Sequence, residues 1–317
     1  MKNLHCAFRR NRLFIASLCA SLQVLAGCSG YIQRMVTQSF GRIGEPIPDP
    51  PHTITTPIIP TANLAVGWVG HATALIQIHD KLIMTDPLFT NSIGLLVKRF
   101  VKPGLDPSIL PKVDFTLISH MHFDHLSYGS LEELPKNGIL VIANGLARYT
   151  PEFGFKETVM LQPWQSTDDD SVRITAVPVQ HFNGRYGFDR AWLGETGYTG
   201  YIIEYKGIVV FFAGDTGYNP ELFKEIGKRF KIDLALIPIA PGGRGLGSYV
   251  HASPLGAVKI CEDVGAKFMM PIHFGTMAYG SPPDPAAQLE ALHEAAEQEG
   301  IANRVIALQI GEQRVLF

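Results

Sequence analysis

Residues 119–126 read Ser-His-Met-His-Phe-Asp-His-Leu. The core of that run, His120-X-His122-X-Asp124-His125, sets three imidazoles and a carboxylate within six residues. Imidazole and carboxylate together suit zinc or another first-row ion. Ionisable groups rarely crowd so densely without a partner or a metal. The run can feed two ions at once, with His120 and His122 on one and Asp124 and His125 on the other. Ahead of it lies Phe115-Thr116-Leu117-Ile118, a short apolar stretch that reads as a buried strand. A strand ending in a turn of donors places them at a sheet edge.

Three more donors stand where predicted strands end. His181 follows Ile174–Gln180, Asp215 follows Val209–Gly214, and His273 follows Phe268–Ile272. A lone histidine is more often structural than a ligand, but here one pattern repeats: strand, donor, loop.

In this order the motifs resemble the ligand motifs of the metallo-β-lactamase superfamily, over about residues 64–317. Asp86, in Thr85-Asp86-Pro87-Leu88-Phe89, matches that superfamily's first acidic motif, which supports the site from behind the ligands. Other segments are similar to the branch containing N-acyl-phosphatidylethanolamine-hydrolysing phospholipase D. They are Gly67-Trp-Val-Gly-His71-Ala-Thr-Ala74, Gln180-His181-Phe182 with Phe188-Asp189-Arg190 and Trp192, Phe211–Tyr218, His251-X-X-Pro254 and Ile272-His273-Phe-Gly-Thr276. The resemblance implies one zinc held by His120, His122 and His181. A second would be held by Asp124, His125 and His273, with Asp215 bridging the two. Manganese and iron share these ligands. Paired metals lower the pKa of a bound water towards ~7, giving a hydroxide nucleophile without any Ser or Cys. Asp124, Asp215 and His251 form the expected catalytic set. Asp215 stands where true β-lactamases often carry Cys, and His122 where the oxygen-reducing diiron branch usually has Glu. Glyoxalase-like and nuclease branches share the ligands.

Around this set, His71 lies in a Gly-rich turn and reads as structural or as support for a ligand. His251 either binds substrate phosphate and assists the leaving group, or makes a local bond at a helix start. Arg244 could contact an anionic substrate, and Asp189-Arg190 reads as an ion pair at the pocket mouth. Phe182, Tyr186, Phe188, Trp192, Tyr198 and Tyr249 could line an acyl groove or belong to the core.

The amino terminus supplies an address. Lys2, Arg9, Arg10 and Arg12 precede an apolar stretch, Leu13–Gly27, too short to span a bilayer. Leu25-Ala26-Gly27-Cys28 resembles a bacterial lipoprotein signal, implying cleavage before Cys28 and lipidation of its thiol. Several acyl chains give stable membrane attachment. Ser29 in place of a retention Asp points to the outer membrane facing the periplasm. Of the four cysteines, only Cys261 would then remain free, so no disulfide is expected. Net charge is −2, and becomes −6 once the four basic residues of the signal are removed. Nucleic acid is excluded as a general partner, because the basic footprint is missing.

The expected organisation is a signal at 1–27, a lipidated cysteine with a Pro-rich tether at 28–60, and a hydrolase domain at 61–317. Pro46, Pro48, Pro50, Pro51, Pro57 and Pro60 interrupt regular structure in the tether, although its Ile and Thr residues suit packing on the domain. Within the domain, Ala74–Ile78 and Lys81–Thr85 read as a hairpin. Strands are predicted near 115–119, 139–143, 172–179, 200–205, 208–213, 233–238, 268–271, 304–308 and 314–317. Helices open at Asn219-Pro220, Ser253-Pro254 and Asp284-Pro285. The mixture fits an α/β (α+β) chain and the superfamily's four-layer αββα sandwich. The functional expectation is a binuclear zinc hydrolase, a phosphodiesterase of phospholipase D type. The alternatives are a lactonase or amidase using the same hydroxide, and a non-catalytic metal-binding envelope lipoprotein. The lipid or other small-molecule substrate, and the oligomeric state, are not fixed by the residues.

Overall fold

The computed structural model describes residues 44–317 apart from 94–96, 195, 244 and 278–284. Cys28, the amino-terminal signal, Arg244 and the expected helix cap at Asp284 lie outside the described residues. The first eight strands are β1 (Leu64–Gly70), β2 (Thr73–Ile78), β3 (Lys81–Thr85), β4 (Ser92–Ile93), β5 (Val97–Lys98), β6 (Phe115–Ile118), β7 (Ile139–Ala143) and β8 (Glu157–Leu161). Then come β9 (Ser166–Asp169), β10 (Val172–Val177), β11 (Gly200–Tyr205), β12 (Ile208–Phe212), β13 (Leu234–Pro238), β14 (Phe268–Ile272) and β15 (Gln313–Val315). The α-helices are α1 (Tyr128–Glu133), α2 (Pro220–Arg229), α3 (Pro254–Asp263) and α4 (Pro285–Gln298).

Two sheets carry the fold. One runs β15-β1-β2-β3-β6-β7-β8 and the other β14-β13-β12-β11-β10-β9, with β4 and β5 as a separate ribbon. Side chains alternate between two cores, as the period of a strand requires. Leu64, Val66, Ile76, Ile83 and Leu117 point inward and meet Ile174, Tyr201, Phe211 and Met270 of the second sheet. Leu75, Leu82, Met84, Ile118 and Leu140 point the other way, onto Leu131 of α1. Strands covered on both faces need nearly continuous apolar runs, and every residue of β1, β2 and β3 is buried. Helices α2, α3 and α4 contribute Phe223, Ile226, Val258, Ile260 and Leu292 to the main core. The result is the expected αββα sandwich.

Strand direction places the site. β1 and β3 are each antiparallel to β2, so they run together, and β6 continues parallel to β3. In the second sheet β10 and β12 are each antiparallel to β11, and β12, β13 and β14 are parallel. The loops after β1, β3 and β6 therefore share one sheet's end. Those after β10, β12 and β14 share the other's.

Helix ends follow the sequence signals. Asn219 accepts from the N–H of Glu221 and Leu222 to cap α2, and Ser253 accepts from Gly256 N–H to cap α3. One expected strand is absent: 304–308 makes a single parallel bridge, Val305 to Met269, after a 3-10 turn over Ala302–Arg304. The chain leaves the β14 edge there and crosses to the other sheet, where β15 pairs with β1, so it can pair with neither for long. Ile306, Leu308 and Ile310 remain buried along the crossing. The Pro-rich segment packs from Pro48 onward. Its carbonyl accepts from Lys102 N–H, Ile54 N–H donates to Gly104 carbonyl, and Ile54 is buried.

Candidate metal centre

Every sequence-predicted donor follows a strand's carboxyl end. His71 follows β1, Asp86 follows β3, and His120–His125 follow β6. His181 follows β10, Asp215 follows β12 and His273 follows β14. The two sheet ends meet, and the donors gather into overlapping groups with ligand atoms within 4.8 Å of one another. One group is His120, His122 and His181. A second is His71, Asp124, His125 and His273. Asp215 closes a third with His181 and His251, and its Oδ2 also lies 3.1 Å from His273 Nε2 and 3.4 Å from His125 Nε2. Asp215 thus faces members of both groups.

The far nitrogen of four histidines is committed to oxygen. His125 Nδ1 donates to Asp86 Oδ2 at 2.6 Å. Ser119 donates to Asp86 through its N–H (2.7 Å) and hydroxyl (2.5 Å), and that hydroxyl accepts from His120 Nδ1 at 2.9 Å. His181 Nδ1 donates to Val250 carbonyl and His273 Nδ1 to Ala240 carbonyl. Each acceptor fixes the ring's orientation and turns Nε2 towards the centre. His71 lies behind Asp124, with Nε2 3.0 Å from its Oδ2. His71, Asp86 and His273 all hold positive φ, at 57°, 30° and 65°, a strained backbone of the kind that accumulates at functional sites.

The donor set fits a metal. His120 Nε2, His122 Nε2, Asp215 Oδ1 and His251 Nδ1 are buried with no hydrogen-bond partner among the described residues. Such atoms are costly unless something binds them. His125 Nε2 and His273 Nε2 stand 3.2 Å apart, and His181 Nε2 stands 3.3 Å from His122 Nδ1. Ring nitrogens converging at that separation suit the ligands of a shared cation.

Electrostatics divides the cluster. Burial holds His120 and His181 well below the usual imidazole range and His122 at about 4, neutral as a ligand must be. Burial also pulls on His125 and His273, but nearby carboxylates outweigh it. Asp215, with Asp124 and Asp86, raises His125 well above its ordinary value, and Asp215 with Asp124 holds His273 at about 9. Burial disfavours the Asp124 and Asp215 carboxylates, yet His125 at Asp124, and His273 and His125 at Asp215, drive both well below the carboxylate range.

His251 stands two residues before Ser253, which caps α3. Its N–H donates to Ser248 hydroxyl, its ring is partly exposed, and Nδ1 faces Asp215 Oδ2 at 3.6 Å. The expected Asp189-Arg190 ion pair does not form. Asp189 accepts from the N–H of Arg185 and Tyr186 and from Tyr149 hydroxyl, while Arg190 lies over the Phe182 ring at 5.0 Å. Backbone N–H groups three and four residues away outcompete the adjacent side chain. A 390 Å³ pocket adjoins His181, lined by Phe182, Asn183, Arg190, Tyr198 and Tyr249 among others. Tyr186, Phe188, Trp192 and Tyr249 are each more than half exposed rather than core. Sequence reasoning missed Ser119, though it directly precedes His120, and Thr276, whose hydroxyl accepts from His71 N–H at 2.7 Å.

The family model described as the beta-lactamase superfamily domain matches residues 81–274, more than half of the chain. The N-acyl-phosphatidylethanolamine-hydrolyzing phospholipase D 1 of Caenorhabditis elegans is 28% identical over 276 residues, 78% of this chain and 75% of that protein. A UPF0173 metal-dependent hydrolase of Thermodesulfovibrio yellowstonii is 26% identical over 274 residues, 82% of this chain and 94% of that one. Among solved structures, a possible metal-dependent hydrolase from Veillonella parvula superposes with a TM-score of 0.64 at 14% identity, covering 81% of this chain and 100% of the other. That likeness carries the fold.

Proposed function

The chain belongs to the beta-lactamase superfamily and is a metal-dependent hydrolase, and from that premise we propose a binuclear phosphodiesterase of phospholipase D type acting on N-acyl-phosphatidylethanolamine-like lipids. The observation that carries the reading is the pair of donor trios joined by Asp215. His120, His122 and His181 would hold one ion and Asp124, His125 and His273 the other, zinc being the first choice of metal. Bound there, two divalent ions would supply Lewis acidity towards a phosphoryl oxygen and lower the pKa of a water. Asp86 orients His125 directly and His120 through Ser119. His251, partly open and facing Asp215, could relay a proton to the departing oxygen, although burial lowers its pKa and keeps the resting ring neutral. The adjoining pocket, with Arg190 on its wall and aromatic rings around it, suits an anionic headgroup carrying an apolar tail. The name of the nematode relative supports the same substrate class.

Zinc-loaded protein should release N-acylethanolamine and phosphatidic acid from N-acyl-phosphatidylethanolamine, read by mass spectrometry, and Asp215→Ala should not. Cleavage of lactones or amides with no diester cleaved would defeat the substrate assignment and leave the hydrolase. We further propose that residues 1–27 are a lipoprotein signal, that Cys28 carries the lipid, and that the domain from residue 61 is held at the outer membrane facing the periplasm. Fatty-acid labelling that persists in Cys28→Ser would remove that address.

A further inference from the structure

We propose that Arg185 is a positioning residue that clamps the loop bearing His122, Asp124 and His125, and so sets how tightly the centre holds its ions. The inference rests on the metal-centre reading above and adds a residue that none of the ligand motifs contains. Arg185 is 7% exposed, and among the described residues no carboxylate pairs with it. Its Nη1 donates to the carbonyl oxygens of Met121 at 2.8 Å and Leu126 at 2.9 Å. Those carbonyls stand at the two ends of the ligand loop, so one side chain spans it. The guanidinium carbon lies 4.2 Å from the Phe123 ring centre and 4.4 Å from the Tyr128 ring centre. Phe123 sits between His122 and Asp124, and Tyr128 opens α1.

The clamp is anchored in turn. Asp189 accepts from Arg185 N–H at 2.9 Å and from Tyr149 hydroxyl at 2.8 Å. Tyr128 hydroxyl donates to Tyr149 carbonyl at 2.5 Å. The circuit closes from Arg185 through Tyr128, Tyr149 and Asp189 back to the Arg185 backbone. Gly184 N–H adds a bond to the Met121 sulfur at 3.3 Å.

The residue type is what the geometry demands. A buried cation without a carboxylate is costly, and a neutral side chain of the same volume would fill the space. What only arginine offers is a flat cation that lies between two rings while its edge donates to carbonyls. Lysine keeps the charge but loses the planar fork. With the loop ends free, His122, Asp124 and His125 would sample more orientations, and an ion would have to fix them on binding.

The test is zinc affinity of the full chain, measured by competition with a chromophoric chelator, together with the melting temperature of the metal-free protein. Arg185→Lys should weaken zinc about 10–100-fold, the loss typical when a partner that orients a ligand is removed. A merely structural arginine would lower the melting temperature and leave the affinity of the folded protein unchanged, and that result overturns the proposal. Where Arg185→Lys fails to fold, Phe123→Ala decides, because that ring is 39% exposed. Several-fold weaker zinc supports the clamp and wild-type affinity overturns it. A wild-type chain that takes up no zinc overturns the metal centre itself, a result distinct from equal binding by wild type and variant.

Discussion

Asp86 never reaches the middle of the centre, yet it touches two histidines that do, His125 directly and His120 through Ser119. Its charge and its two acceptor oxygens both matter. Asn in its place offers one acceptor and an N–H₂ that cannot receive the His125 proton. Asp86→Asn should therefore weaken zinc about 10–100-fold, and isothermal titration showing native affinity would remove Asp86 from the site. His251 makes the opposite case. It is outside both proposed trios but faces Asp215, so His251→Ala should keep the metal content and lose about 10²–10⁴ in kcat as a proton donor. A rise in KM alone, with kcat intact, would make it a substrate contact instead.

At the scale of elements, the centre depends on two sheet ends meeting closely. Gly214 turns the chain from β12 into Asp215 with φ +59°, and a Cβ there would stand 2.5 Å from Ser119 Cβ. Gly214→Ala combines a strained backbone, costing about 1–3 kcal/mol, with a push on the Ser119 hydroxyl that links Asp86 to His120. Thermal unfolding at a lower temperature together with weaker zinc is expected, and an unchanged melting temperature would count against the close approach. Much at this scale was legible beforehand. The buried runs of β6, β7, β11 and β12 and the capped starts of α2 and α3 stand out in the sequence, as do all seven donors. Two strands were not legible: β9, at a sheet edge, is Ser-Thr-Asp-Asp, with no apolar face to mark it, and β1, inside its sheet, hides behind Gly67 and Gly70. The 304–308 segment alternates like a strand because it is buried, not because it is paired. Arg185 stayed hidden because its partners are carbonyls 59 and 64 residues away, which no motif encodes.

For the whole molecule, the histidines give the metal-free protein opposing responses to pH. Burial holds His71 at about 3 and His122 at about 4, below the ordinary 6.5. As pH falls below 6.5 the unfolded chain takes up those protons first, so stability is lost down to about pH 4 for His122 and about pH 3 for His71. His273, held at about 9 against the pull of burial, works the other way. Its contribution is complete below 6.5 and is lost as pH rises through 9. The chelated protein should accordingly be most stable near pH 6.5, and denaturant midpoints that climb steadily from pH 5 to 9 would contradict this balance. A last consequence lies in where the donors come from. Each trio takes ligands from both sheets, His120 and His122 with His181, and Asp124 and His125 with His273. An ion in either trio is thus a cross-link between the halves of the sandwich, tying residue 122 to 181 and residue 125 to 273. In a chain whose one described cysteine is the free, buried Cys261, such ties would take the part that disulfides play elsewhere, restricting the long loops of the unfolded chain that remains metal-bound and slowing the parting of the sheets.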